Sequence, residues 1–181
     1  MLTQDTHPMG WKAEAFTLPD CDGNQHSLDS LMGEKGLVLV FMCNHCPYVV
    51  AVADRLAADA RTLMDEGFGV AGINANDFIA YPEDSPAKMK LYAEKWALPF
   101  PYLVDEAQHV AKSYGAVCTP DPFGFSAAGE LQYRGRLDDA RRGDASGRTP
   151  ELVNAMRMIG ETSSGPAEQF ASMGCSIKWS R

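Results

Sequence analysis

The sequence predicts an α/β fold built around one buried strand and the helix that follows it. Residues 37–42 are six consecutive apolar residues, partly β-branched and without polar alternation, which is typical of a strand buried on both faces. From Val49 onward, apolar residues recur at the spacing of one stripe of an amphipathic helix. A second apolar run, 70–74, follows that helix. A strand–helix–strand unit of this kind is by default a right-handed parallel crossover.

Shorter patterns predict the elements around this unit. Two extended segments, 16–19 and 25–28, flank an Asp-Gly-Asn turn and indicate an N-terminal β-hairpin. A polar loop is expected over 74–85, at the carboxyl end of a strand, where open α/β sheets place their sites. The elements expected next are a helix that begins at Ser85-Pro86, a short strand at 102–104 and a helix over 107–114.

The C-terminal third is expected to add a β-hairpin after residue 122 and one last helix. Thr149 would cap that helix, with Pro150 in its first turn, and a loose segment would follow over 160–166. The chain shows no repeat and no sign of a second domain. We therefore expect one domain over 1–181, with residues 161–181 as a tail that packs on it, either as an edge strand or on the surface.

Composition limits the classes of function. The 181 residues are 45% hydrophobic and 22% charged, as in an ordinary soluble globular protein. A net charge of −8 argues against nucleic acid or an anionic membrane as the main partner. No segment approaches the roughly 20 apolar residues of a membrane-spanning helix. The polar N-terminus lacks a secretion signal pattern, so a cytoplasmic location is expected.

Cys43 and Cys46 form a Cys-x-x-Cys pair between the central strand and its helix. Unpaired N–H groups and the partial positive charge at a helix N-terminus favour a thiolate, and His45, if protonated, adds a second positive charge. Cys43 is the predicted nucleophile because the first cysteine of such a pair usually lies at the exposed edge of the turn. Cys46 would then be the resolving thiol.

Two other interpretations of the pair are a zinc half-site and two unrelated core cysteines. A structural zinc site needs four ligands, and the sequence has neither a second Cys pair nor a His-x3-His pattern. A Cys-x-x-Cys beside a strand–helix–strand pattern favours redox chemistry. The sequence therefore predicts a redox pair that needs no metal and no organic cofactor.

The order of these motifs resembles the thioredoxin superfamily, in particular its alkyl hydroperoxide reductase/thiol-specific antioxidant (redoxin) branch. The resemblance covers nearly the whole chain. It looks closest to members with a Cys-x-x-Cys pair and a Gly-Cys-Ser-Ile-Lys-Trp-like tail. It implies a thioredoxin-like three-layer α/β/α sandwich with a mixed central sheet and an N-terminal β-hairpin. The motifs that carry it are Phe16-Thr17-Leu18-Pro19, Asp22-Gly23, the Cys43–Cys46 pair and Thr119-Pro120.

The resemblance also implies a cis peptide between Thr119 and Pro120 that faces the cysteines and shapes a substrate groove. Cys118, just before this loop, is either a third redox thiol or a small buried core residue. Thioredoxins carry a buried carboxylate in the strand before their cysteines, whereas 37–42 has none. Asp77 is then the nearest candidate for a proton acceptor, with a solvated loop role as the alternative.

The chain also departs from typical peroxiredoxins, which have a Thr three residues before a Cys-Pro and an Arg near a later strand. Cys46-Pro47 matches that Cys-Pro, but Cys43 replaces the Thr. Asp121-Pro122 stands about where the Arg would be. The stabilisation of a thiolate and the polarisation of a peroxide by these two residues are therefore not predicted here.

The sequence thus predicts a thiol–disulfide oxidoreductase. Cys43 attacks a protein or small-molecule disulfide, Cys46 resolves the mixed disulfide, and a thiol reductant resets the pair. His45 and Asn44 would tune the couple. The alternatives are a thiol peroxidase, with Cys46 peroxidatic and Cys43 resolving, and a non-catalytic binding module.

If the protein is a thiol–disulfide oxidoreductase, we expect a Cys43 pKa below the free value of about 8.5. We also expect the Cys43–Cys46 couple to be more oxidising than thioredoxin, whose reduction potential is about −270 mV. For Cys175, a spare thiol, a resolving thiol and a packing role are all open. So are the oligomeric state and the direction of electron flow.

Overall fold

The computed structural model describes residues 1–2 and 6–181. A mixed central sheet runs through the molecule. Its strands are β3 (Gly36–Phe41), β4 (Phe68–Asn74), β5 (Tyr102–Val104), β7 (Asp121–Ser126) and β8 (Leu131–Arg134). Three of them pair antiparallel in the order β3–β7–β8, and β4 pairs parallel with β5. The N–H of Met42, just beyond β3, donates to the Ile73 carbonyl of β4 over 2.9 Å, so the full order is β5–β4–β3–β7–β8.

Two small antiparallel pairs flank this sheet. The expected N-terminal hairpin is confirmed, although residue 28 already belongs to a short helix that the sequence analysis missed. The second pair joins the tail to the Thr119–Pro120 loop. The strands of the two pairs are β1 (Thr17–Pro19) with β2 (Gln25–Ser27), and β6 (Cys118–Thr119) with β9 (Cys175–Ser176).

Helices cover both faces of the central sheet, and β3 explains why. All six β3 residues are fully buried, so their alternating side chains serve two apolar clusters. The helices are α1 (Leu28–Leu31), α2 (Pro47–Asp65), α3 (Pro86–Lys95), α4 (His109–Tyr114) and α5 (Glu151–Thr162). Val38 and Val40 pack with residues of α2, α3 and α5, whereas Leu37, Leu39 and Phe41 pack with α1 and α4. The fold class is therefore the predicted thioredoxin-like α/β/α sandwich.

The last helix departs from the prediction at both ends. Pro150 is its flanking residue and no side chain caps it, so the predicted cap at Thr149 is wrong; the Thr149 N–H instead donates to the Asp139 carboxylate at 2.7 Å. Residues 160–162, expected to be loose, are helical because the buried apolar stripe of α5 continues to Ile159. Among the described residues, no helix is both long enough and apolar enough to cross a membrane.

Candidate active site

The two cysteines lie where the sequence placed them, between β3 and α2. Cys46 is the residue that flanks the N-terminus of α2, and Pro47 occupies the first turn, where a missing N–H costs nothing. Both side chains are buried, with 1% of each residue exposed. The prediction that Cys43 lies at an exposed edge is therefore wrong, because the Thr119–Pro120 loop covers the end of the strand.

The Thr119–Pro120 peptide is cis, as the resemblance implied. Its threonine contacts both thiols. The Thr119 hydroxyl lies 3.4 Å from Cys43 Sγ, and the Cys46 thiol donates to the Thr119 carbonyl over 3.2 Å. One residue of this loop therefore fixes the orientation of both sulfurs.

The two thiols of the pair differ in pKa. The pKa of Cys46 is lowered against the opposing effect of burial: the largest contribution comes from the Cys43 thiol, and the Cys175 thiol and the Val49 N–H add to it. The pKa of Cys43 is raised, first because its thiol donates to Cys46, then by burial and by the negative charge of Asp84. The expected low pKa of Cys43 is therefore wrong. Cys46 is the thiol that the site favours as a thiolate.

Asp84 is the carboxylate beside the pair. Its side chain is fully buried in a 3₁₀ turn, Pro82–Asp84, and its oxygens accept from the Asn44 N–H at 2.8 Å and the Asn76 amide at 2.8 Å. It also pairs with His45 Nδ1 at 2.9 Å. Sequence reasoning missed it because Pro-Glu-Asp-Ser-Pro looks like a solvated loop. The available signal was that this loop follows a buried strand of the sheet.

Asp77 does not take the role proposed for it. Its carboxylate accepts from the N–H groups of Ile79 and Ala80 at 3.0 and 3.3 Å, so it caps its own loop. Asp84, not Asp77, supplies the negative charge that raises the Cys43 pKa. The carboxylate beside the pair therefore comes from the predicted loop, but it is Asp84 and not Asp77.

Asn44 and His45, the two residues between the cysteines, hold the 3₁₀ turn in place. The buried Asn44 amide donates to the Glu83 carbonyl at 2.8 Å, and its oxygen accepts from the Tyr102 hydroxyl at 2.9 Å. His45 is exposed and its Nδ1 is engaged by Asp84. Any positive charge on His45 is therefore balanced at once by Asp84, which limits its effect on the sulfurs.

Cys118 is a core residue in this structure. It is fully buried, and burial together with the Asp121 charge raises its pKa to about 12. A thiol of that pKa is almost wholly protonated near neutral pH and is a poor nucleophile. Cys175 differs: it is half-buried, lies across from Thr119 in the β6–β9 pair and packs against the apolar cluster that contains Cys43 and Cys46.

Ligand atoms of Cys43, His45 and Asp84 lie within 4.8 Å of one another, a donor set that could hold a metal ion. Both oxygens of Asp84 are already used by amide and imidazole donors. A metal would have to displace these bonds from a buried carboxylate, at a cost of about 1–3 kcal/mol for each donor left unpaired. We therefore assign the cluster to hydrogen bonding.

Residues 9–134 match the model of the AhpC/TSA family. The chain belongs to the AhpC/TSA family. Membership of this family makes it a thiol-dependent oxidoreductase, as the sequence predicted. Peroxiredoxin Bcp of Escherichia coli is 32% identical over 103 residues, which are 57% of this chain and 61% of that protein.

Solved structures agree on the fold. A conserved protein of Geobacillus kaustophilus superposes with a TM-score of 0.93 at 40% identity, covering 99% of this AhpC/TSA chain and 96% of the other. A secreted Mycobacterium tuberculosis disulfide oxidoreductase homologous to DsbE superposes with a TM-score of 0.55 at 23% identity, covering 65% and 80%. The second likeness bears on the fold alone.

Proposed function

We propose that this AhpC/TSA protein is a thiol–disulfide oxidoreductase in which Cys46 attacks and Cys43 resolves. The proposal is supported by the position of Cys46 at the N-terminus of α2 and by its lowered pKa, whose largest cause is the neighbouring Cys43 thiol. A thiolate is the attacking species in disulfide exchange, and the thiol with the lower pKa also leaves more readily. The order of attack is therefore the reverse of the one that the sequence favoured.

The chemistry takes two steps. The Cys46 thiolate attacks one sulfur of the substrate disulfide, forms a mixed disulfide and releases the other sulfur as a thiolate. Cys43, having lost its proton, then attacks Cys46 Sγ and displaces the remaining substrate sulfur. The substrate leaves as two thiols, and the pair is left as a Cys43–Cys46 disulfide that a thiol reductant must reduce. Because cytoplasmic thiol pools supply such reductants, we place the protein in the cytoplasm.

Substrate would reach the pair beside Pro120. A mostly apolar depression borders this residue and is lined in part by Tyr48, Val52 and Met173, with Arg141 and Arg142 at its edge. An extended segment of a disulfide substrate could lie here, because the cis loop presents backbone groups next to the sulfurs. Thr119 and Pro120 would then orient the substrate, as the resemblance implied.

The second candidate is a thiol peroxidase. Its support is the burial of both sulfurs, which admits a small peroxide more readily than a protein disulfide, together with the peroxiredoxin name of the Escherichia coli relative. The Cys46 thiolate would attack one peroxide oxygen and become a sulfenic acid, with an alcohol or water as the leaving product. Cys43 would then condense with it, releasing water and forming the same disulfide.

Turnover of oxidised glutathione and of hydrogen peroxide, each with dithiothreitol as reductant, tests both candidates. We expect C46S to lose turnover and the double variant C43S/C175S, which lacks both thiols near Cys46, to stop after one attack. The trapped species would be a mixed disulfide with glutathione or a sulfenic acid with peroxide, and mass spectrometry distinguishes them. C21S is the matched control. Retained turnover in C46S, with an adduct on Cys43, would reverse the assignment; inactivity of the wild type with both substrates would favour a binding module.

A further inference from the structure

The active pair poses an access problem. Cys43 and Cys46 are each 1% exposed, so an external reductant cannot easily reach either sulfur of their disulfide. Thiol–disulfide exchange requires the attacking thiolate to reach a sulfur along the S–S axis, so a buried disulfide is reduced slowly. The half-buried Cys175 lies next to the pair, on the C-terminal tail.

Cys175 is held beside Cys46 by main-chain pairing. In the β6–β9 pair, Cys175 is the partner of Thr119, whose carbonyl lies 3.2 Å from Cys46 Sγ. Cys175 also packs against the apolar cluster that contains both Cys43 and Cys46, and its thiol and N–H help to lower the pKa of Cys46. Cys46 therefore has two thiols near it, the buried one of Cys43 and the half-buried one of Cys175.

Contacts on both sides of Cys175 fix the tail in this position. The Ser172 hydroxyl donates to the Pro120 carbonyl at 2.6 Å, and the Ile177 N–H donates to the Val117 carbonyl at 3.1 Å. A Cβ on Gly174 would lie 1.9 Å from the Thr119 carbonyl, so only glycine permits this close approach. Farther along, the Lys178 N–H donates at 2.9 Å to Asn76, which itself binds Asp84.

We propose that Cys175 is a third redox-active thiol, which takes over the disulfide from the buried pair and presents it to an external dithiol. The proposal rests on the proposed function, because the Cys43–Cys46 disulfide is its starting point. The Cys175 thiolate attacks Cys46 Sγ; the Cys46–Cys175 bond forms, the Cys43–Cys46 bond breaks, and Cys43 leaves as a thiolate and takes up a proton. No net oxidation occurs in this step.

The external dithiol then attacks the half-buried Cys175 Sγ of the Cys46–Cys175 disulfide. Cys46 leaves as its stabilised thiolate, and the second thiol of the reductant closes its own disulfide and frees Cys175. The reductant is oxidised by two electrons and the protein is restored. A leaving thiol of low pKa accelerates exchange, and Cys46 is that thiol here.

The charge state of Cys46 also sets when Cys175 can react. The pKa of Cys175 is raised to about 11, first by burial and then by its interaction with the Cys46 thiol and by the negative charge on Cys46. Both contributions from Cys46 disappear once that sulfur is in a neutral disulfide with Cys43. Cys175 therefore becomes a better nucleophile in the oxidised protein, which is the state in which the transfer takes place.

Two variants test the relay. After oxidation with diamide, C43S should contain a Cys46–Cys175 disulfide, located by peptide mass mapping. C175S should form the Cys43–Cys46 disulfide like the wild type, but dithiothreitol should reduce that disulfide about tenfold more slowly. C21S, which also removes a half-buried thiol, should match the wild type in both measurements, and circular dichroism confirms that each variant is folded.

The outcomes separate this inference from the proposed function. Wild-type reduction rates in C175S, or an oxidised C43S that lacks the Cys46–Cys175 disulfide, would overturn the relay and leave the pair chemistry standing. A wild-type protein that forms no Cys43–Cys46 disulfide with diamide would overturn both. A slow C175S together with the mapped disulfide supports the relay.

Discussion

Among single residues, Asp84 has the widest influence on the pair. It is a buried carboxylate whose donors come from the residues between the cysteines and from the loop after β4. The pKa of Cys43 is raised first by its hydrogen bond to Cys46 and by burial, and the charge of Asp84 adds to this effect. Asp84 therefore contributes to the difference in pKa between the two cysteines.

Replacement of Asp84 by Asn tests this role. We expect the Cys43 pKa to fall, because the negative charge that opposes its ionisation is gone. We also expect a loss of about 1–3 kcal/mol in the free energy of unfolding, because an amide group would face other donors. Thiolate absorbance against pH and urea denaturation measure the two effects. D77N, which alters only a loop cap, is the control, and equal titrations for D84N and wild type would rule out the coupling.

The reduced pair also predicts how stability changes with pH. The folded-state pKa of Cys46 is lowered, so below the ordinary thiol pKa of about 8.5 the folded protein binds fewer protons than the unfolded chain. The contribution of Cys46 to stability is therefore present above the unfolded pKa and is lost as the pH falls through the folded pKa. Cys43, whose folded-state pKa is raised, begins to oppose this contribution only where the unfolded thiol ionises, near a pKa of about 8.5.

Urea denaturation of the reduced protein at a series of pH values measures this effect. The difference in the free energy of unfolding between wild type and C46S isolates the thiol from other titrating groups. This difference should shift in favour of the wild type as the pH rises towards 8. A difference independent of pH would mean that Cys46 titrates normally.

Among the elements, the β6–β9 pair connects the tail to the active site. It is only two residues long on each strand, so its register depends on the neighbouring contacts and on the close approach at Gly174. Because Cys175 on the tail helps to lower the pKa of Cys46, docking of the tail affects both stability and thiol chemistry.

Gly174→Ala should detach this pair. The added methyl group would overlap the Thr119 carbonyl, so we expect a loss of about 1–3 kcal/mol and faster amide exchange at 118–119 and 175–176. Hydrogen–deuterium exchange measures the local opening. Gly143→Ala is the matched control, since its methyl group would meet only the Ala140 carbonyl at 3.2 Å. Unchanged exchange in G174A would show that the tail tolerates the overlap.

In the whole molecule, an ionic network connects α2, the helix that begins after Cys46, to the segment before α5. The buried Asp138 accepts from Arg55 of α2 at 2.7 Å and from Arg148 at 3.2 Å, and Arg148 also pairs with Asp59 of α2 at 2.6 Å. The position of α2 sets that of Cys46. The network therefore links global stability to the geometry of the site.

Asp138→Ala should cost up to about 3 kcal/mol of unfolding free energy, because it leaves two guanidinium groups short of a partner. This is the lower end of the range for a buried pair, since Arg55 and Arg148 keep 17% and 19% of their side chains exposed. Chemical denaturation gives the value. Asp54→Ala removes an exposed acidic residue of α2 and should have little effect. Equal losses of unfolding free energy in both variants would mean that the loss reflects the removal of a negative charge and not of these ion pairs.

Local sequence patterns were sufficient to predict the architecture and the position of the pair. The buried run 37–42, the helical stripe after it and the Thr119-Pro120 motif are local patterns, and local periodicity reports which residues must be buried. The ends of α5 were misjudged because capping depends on a side-chain geometry that composition does not fix.

The chemistry within the pair depends on contacts that form only on folding. The difference in pKa between the two thiols comes first from their mutual hydrogen bond and from burial, and then from Asp84 and Cys175, which lie far along the chain and reach the pair through the loop after β4 and the β6–β9 pair. A pKa responds to charges, donors and burial within a few ångströms, whatever their separation in sequence. The motif therefore located the candidate redox pair, and the folded contacts are the basis for our proposal that Cys46 attacks.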